Sequence, residues 1–103
     1  MNIKKLKSNE IMPGFHGRII HGADFTSVYW EVDKGSSLPE HNHINEQLMH
    51  VIEGKFEFTI NGKIHLCDKG STFQIPSNVP HSGKAITDCI IMDFFSPKRD
   101  DLV

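Results

Sequence analysis

Hydrophobic and polar residues alternate in short runs along the 103 residues of the chain, and no stretch sustains the helical spacing of about 3.6 residues. In "TSVYWEV", Val28, Trp30 and Val32 share one parity and Tyr29 and Glu31 the other, the pattern of a half-buried strand. In "KFEFTINGKIHL", Phe56, Phe58 and Ile60 alternate with Lys55, Glu57 and Thr59, and Asn61-Gly62 can supply the positive φ angles of a type I′ turn. A β-hairpin is predicted there. "DKGSTFQIPSNVP" reads as a turn, a short strand and a loop bounded by Pro76 and Pro80, neither of which can donate to a central ladder. "CIIMDFF" is apolar at nearly every position, which predicts a strand buried on both faces beneath a second sheet or a partner subunit. The chain turns polar after Pro97, so this last strand should stop near Phe95. Many short strands with Gly, Pro and Asn punctuation predict an all-β sandwich or small barrel, as one domain over residues 1–103 without linker or repeat.

Composition narrows the function classes. A net charge of -2 with 23% charged residues leaves no broad cationic surface for nucleic acid or anionic lipid. Lys4, Lys5 and Lys7 read as the solvated face of a strand. No apolar run reaches the roughly 20 residues that span a bilayer, and the start lacks a secretory pattern, so a cytoplasmic address is the default expectation. Cys67 and Cys89 form no C-x-x-C pair and read as small core residues.

The histidines carry the first chemical signal. In "PEHNHINEQ", His41 and His43 lie two residues apart and share a face in an extended segment; Gln47, Met49 and Val51 keep that parity, while Glu46 and His50 fall opposite. The loop-like "INE" can reset this register. Two imidazoles and an amide oxygen suit a divalent zinc, nickel, manganese or iron ion, with His81, aimed by the Pro-rich "PSNVPHSG" loop, as the fourth ligand. Taken alone, an H-x-H pair in a β-rich chain is most often two surface histidines. His16, His21, His50 and His65 lack partners at ligand spacing and read as surface or interface residues.

The wider spacing resembles that of the cupins, whose first motif runs Gly, five residues, H-x-H, three or four residues, Glu, six residues, Gly. Gly35, His41, His43, Gln47 and Gly54 stand in that order and spacing. The second motif runs Gly, five residues, Pro, one residue, Gly, two residues, His, with a later Asn; Gly70, Pro76, Asn78 and His81 follow it. The resemblance covers most of the chain and implies the cupin double-stranded β-helix, or jelly-roll barrel. Three positions depart from it. Gln47 replaces Glu, Asn78 replaces Gly, and Ala85 stands where the terminal Asn would be. Asn tolerates left-handed backbone, so the turn at Asn78 can survive. A neutral Gln leaves the metal's charge unreduced, which favours Lewis-acid chemistry.

"GKFEFTINGK", "IPSNVPHSG" and "MDFFSPKRDDL" are similar to segments of the small bacterial cupins of pectin and alginate breakdown, which convert cyclic unsaturated monouronates to linear ketonised sugars. The resemblance implies a metal held by His41, His43, Gln47 and His81, facing Asp93, Phe95 and Arg99 in the family's D-x-F-x-x-x-R spacing. It implies a sugar-acid substrate and a homodimer. Asp93 and Phe95 share a face of the last strand; a buried Asp has its pKa raised toward the range useful for proton transfer, unless it is a structural Asp paired with an Arg or a backbone amide. Arg99 offers a bidentate partner for a uronate carboxylate, and Phe95 an apolar wall. A dioxygenase, another sugar isomerase and a non-catalytic binding module share the same fold.

Overall fold

The computed structural model describes residues 1–102. Ten strands follow a 3-10 turn at Ile3–Lys5: β1 (Asn9–Met12), β2 (Phe15–His21), β3 (Thr26–Val32), β4 (Ser37–His41), β5 (Glu46–Glu53), β6 (Phe56–Ile60), β7 (Lys63–Cys67), β8 (Thr72–Ile75), β9 (His81–Ala85) and β10 (Cys89–Ser96). They form a six-stranded sheet, β1-β2-β3-β10-β5-β8, and a four-stranded sheet, β4-β9-β6-β7. Every pairing is antiparallel. Among the described residues no helix is long and apolar enough to cross a membrane.

The core lies between the sheets. Val28, Trp30 and Val32 of β3, Met49 and Val51 of β5, and Ile91 and Phe95 of β10 belong to one buried cluster with Phe56 and Phe58 of β6. Their period-two spacing gives each of these strands an apolar inward face, and burial of that face drives the layers together. Cys67 and Cys89 are buried and unpaired in this cluster, as small core residues.

Turn chemistry sets the connections. Asn61 (φ 50°) and Gly62 (φ 80°) both take positive φ, so the β6–β7 hairpin closes through the expected turn. Asn78 adopts φ 64°, which an Asn side chain tolerates in place of Gly. Gly54 (φ 93°) leads into β6, and a Cβ there would strike the carbonyl oxygen of Asp88.

Three expectations need correction. Lys4 and Lys5 sit in the 3-10 turn and Lys7 precedes β1, so these lysines are solvated but occupy no strand face. β10 is not buried on both faces within the chain: Cys89, Ile91, Asp93 and Phe95 point inward, whereas Ile90 and Met92 are half-buried and Phe94 is 37% exposed. β3, by contrast, is buried at every position from Thr26 to Trp30, Tyr29 included, and so is not the half-buried strand its alternation predicts.

Candidate metal centre

His41 ends β4, His81 opens β9, and the two are direct partners in the ladder. His43 lies in the connection to β5. The ring centroids of His81 stand 4.2 Å from His41 and 5.0 Å from His43, and ligating nitrogens of all three residues lie within 4.8 Å of one another.

Backbone carbonyls fix how these rings present themselves. Nδ1 of His41 faces Pro39 O at 2.8 Å, Nδ1 of His43 faces Asn45 O at 2.9 Å, and Nδ1 of His81 faces Val79 O at 2.8 Å. A carbonyl oxygen only accepts, so each Nδ1 carries the proton and each Nε2 keeps a lone pair. Orienting contacts of this kind are what metal-binding histidines use. His81 Nε2 is buried without a hydrogen-bond partner, an orphaned acceptor that an ion would satisfy. Burial lowers the His81 pKa to about 4, against the pull of the Val79 carbonyl and with the positive potential of His41, His43 and Arg99 adding to it. Burial and then the Arg99 charge lower that of His43. Both rings are neutral near pH 7, the form that binds metal.

Gln47, near the start of β5, adjoins the three rings. Its Nε2 donates to Asp93 Oδ1 at 2.9 Å, which turns Oε1 toward His43 Nε2 at 3.2 Å. With the His43 proton on Nδ1, these two facing atoms are both acceptors, an arrangement a shared cation would relieve. The donor set of three imidazole nitrogens and an amide oxygen fits a first-row divalent ion.

The structure brings His41, His43, Gln47 and His81 together, but the first three do not project from one strand face as their shared parity suggests. His41 belongs to the four-stranded sheet and Gln47 to the six-stranded sheet, and residues 42–45 carry the chain between them. The "INE" segment does reset the register.

A cavity of about 370 Å³ opens beside these ligands, with Gln47, His41, His81, Asp93, Phe95 and Arg99 in its wall. Asp93 is 8% exposed. Its oxygens accept from the Trp30 indole Nε1 at 2.9 Å and from Gln47. Burial raises its pKa to about 6, while those two hydrogen bonds and the Arg99 charge pull it down. The partners are thus side-chain N–H groups of Trp30 and Gln47, neither the Arg nor the backbone amide of a structural pair. Arg99 lies over the Phe95 ring, 4.8 Å from its centroid. Its Nε and Nη2 donate to the two carboxylate oxygens of Asp101 at 3.2 and 2.7 Å.

Trp30 and Asp101 are the site residues that sequence reasoning misses. Trp30 reads correctly as core, but nothing in the alternation says that its indole N–H meets an acid 63 positions away. The "RDD" run does hold a signal for Asp101, since a carboxylate two residues beyond Arg99 can reach its guanidinium.

Two antiparallel sheets around a cluster of three histidines and a glutamine define the metal-binding jelly-roll class. The model of the cupin domain family matches residues 28–95, and the chain belongs to that family. It is 29% identical over 97 residues to the pectin degradation protein KdgF of Dickeya dadantii, covering 91% of this chain and 88% of that protein. The structure of KdgF from a Halomonas species superposes with a TM-score of 0.91 at 28% identity, covering 97% of this chain and 94% of that one. An RmlC-like cupin from Shewanella frigidimarina superposes with a TM-score of 0.94 at 28% identity, over 100% of this chain and 94% of that one.

Proposed function

We propose that the protein is a metal-dependent enzyme that converts cyclic 4,5-unsaturated monouronates, the products of pectin or alginate breakdown, to linear 4-deoxy-5-keto-uronates. The observation that carries this reading is Asp93: a buried acid with its pKa raised to about 6, placed in the same cavity wall as the metal-ligand set and Arg99. The similarity to two proteins named KdgF supports the substrate class.

The conversion is an isomerisation. The anomeric hydroxyl gives up a proton as the bond between the anomeric carbon and the ring oxygen breaks, leaving an aldehyde and an enol. The enol then takes a proton on carbon and loses one from oxygen, giving the ketone. No atom is gained or lost, so one residue that both takes and returns a proton is sufficient. An acid with a pKa of about 6 performs both transfers near neutral pH. Trp30 and Gln47 hold its carboxylate in place through both. A divalent ion held by His41, His43, Gln47 and His81 supplies Lewis acidity for the sugar oxygens on which charge develops. Arg99 binds the substrate carboxylate, either through its remaining N–H groups or by exchanging Asp101 for it. Phe95, which supports the guanidinium, packs against the apolar edge of the ring.

Proton NMR in deuterium oxide tests the assignment. The enzyme should deliver a linear product with deuterium on one face of the new methylene. A stereorandom product forming at the uncatalysed rate would refute it. Oxygen uptake would point to a dioxygenase instead.

A further inference from the structure

We infer that His21 and Thr26, together with Asn45, are positioning residues that hold residues 97–102 as a strap across the cavity and so set Arg99 in its wall. The inference extends the proposed function, because Arg99 is the group assigned there to the substrate carboxylate.

Three side chains from separate parts of the fold grip this segment. Asn45, 7% exposed, donates through Nδ2 to Pro97 O at 2.6 Å. The Arg99 backbone N–H donates to Thr26 Oγ1 at 2.8 Å. His21 Nε2 meets Leu102 O at 2.8 Å, and His21 Nδ1 meets Thr26 Oγ1 at 2.9 Å. Donor and acceptor roles follow from the endpoints. Leu102 O only accepts, so His21 Nε2 carries the ring proton and Nδ1 has a lone pair. Thr26 Oγ1 accepts from the Arg99 N–H and its hydroxyl donates a hydrogen bond to that lone pair. The chain from Arg99 N–H through Thr26 and His21 to Leu102 O is complete, with Thr26 Oγ1 accepting at one end and donating at the other.

The placement of these residues gives the chain its purpose. Thr26 is fully buried at the corner where β2, β3 and β10 meet, paired with His21 and with Phe95. Arg99 and Leu102 both line the cavity, and Leu102 is 6% exposed within the core cluster. Asn45 ties the strap to the metal ligands, since the residue whose side chain holds Pro97 also accepts, through its carbonyl, the His43 Nδ1–H that orients that imidazole. A strap released from Thr26 and His21 would carry Arg99 off the Phe95 ring and open the cavity where Leu102 closes it.

Thr26→Val keeps the shape of the buried side chain and removes only the hydroxyl. In metal-loaded protein the variant should be cut by trypsin after Lys98 and Arg99 about tenfold faster than wild type, a local opening with the rest of the fold intact. Its KM for the unsaturated uronate should rise about tenfold with kcat held within about twofold, the pattern of lost substrate binding rather than lost chemistry. Thr26→Ser, which restores the hydroxyl, should return both values toward wild type. Cleavage of Thr26→Val at the wild-type rate, or a loss of kcat at constant KM, would overturn the inference. A wild-type protein inactive on every uronate refutes the proposed function, and the trypsin comparison still decides the strap.

Discussion

Gln47 and Asp93 are joined by a 2.9 Å hydrogen bond between the amide Nε2 and the carboxylate Oδ1. The side chain proposed as the fourth metal ligand is therefore also one of two donors that hold the buried acid. Metal binding and proton transfer share a residue, and changes at either end should be felt at the other.

Asp93→Asn shows the consequence. Trp30 and Gln47 each donate to a separate carboxylate oxygen of Asp93, and Asn has only one oxygen to offer. Turnover should fall at least about hundredfold through loss of the proton carrier. Metal affinity should fall as well, by about tenfold, because the Gln47 amide loses its orienting partner. Metal titration by calorimetry beside steady-state kinetics measures both.

His81→Ala should remove metal binding more completely. His81 is 2% exposed and its Nε2 has no other partner. Wild-type protein at a metal concentration about a thousandfold above Kd should gain about 4 kcal/mol of stability by mass action. In the variant the melting temperature should not respond to added zinc or nickel, nor to chelator. Thermal melts with and without each ion give the result directly.

Stability of the metal-stripped protein should depend on pH in two opposed ways. The folded pKa of His81 is depressed to about 4 from 6.5, so between these values the unfolded chain binds more protons and stability rises with pH. His43, also lowered, adds to that rise. The folded pKa of Asp93 is raised from 3.8 to about 6, so across that window the native state binds more protons and stability falls as pH increases. Asp93→Asn removes the falling contribution. Denaturant titrations between pH 4.5 and 6 should show a steeper gain of stability with pH in the variant, by up to about 1.4 kcal/mol per pH unit.

Arg99→Lys should separate carboxylate recognition from charge. Lysine keeps the cation but loses the planar fork and its packing over Phe95. KM for a uronate should rise about tenfold or more, with a smaller change in kcat. The same substitution frees Asp101 from its bidentate partner. Arg99 is 15% exposed but Asp101 is 65% exposed, so solvent screens the ion pair and its loss alone should change fold stability little.

The sequence makes much of this molecule legible because its local rules agree with its global fold. Phe56, Phe58 and Ile60 on one parity, followed by Asn61-Gly62, leave few options besides a hairpin. The candidate metal ligands are legible through spacing, since His41, His43, Gln47 and His81 sit at fixed distances from turn glycines and from Pro76. What alternation cannot report is how the chain passes from one sheet to the other at residues 42–45, because a crossing has no period. Nor can it report side-chain hydrogen bonds between distant positions. The indole of Trp30 on Asp93, the amide of Asn45 on Pro97 and the imidazole of His21 on Leu102 each depend on tertiary placement. His21 reads as a plain surface residue, and it is exposed; its ring nevertheless closes a hydrogen-bond chain across 81 positions. The apolar run of β10 misleads for a related reason, since hydrophobicity alone does not say whether Phe94 faces a core or an open surface.

The central claim is that this cupin linearises unsaturated uronates with the help of a bound metal. The most direct measurement follows loss of the ring alkene absorbance of unsaturated galacturonate, mannuronate and guluronate in the presence of metal-loaded protein, with the spontaneous rate and a chelator-treated sample as references. The account predicts acceleration over the spontaneous rate on at least one of these uronates, abolished by chelator and restored by the added ion. Absorbance decaying at the spontaneous rate for all of them, in protein shown to carry one ion per chain, would contradict it.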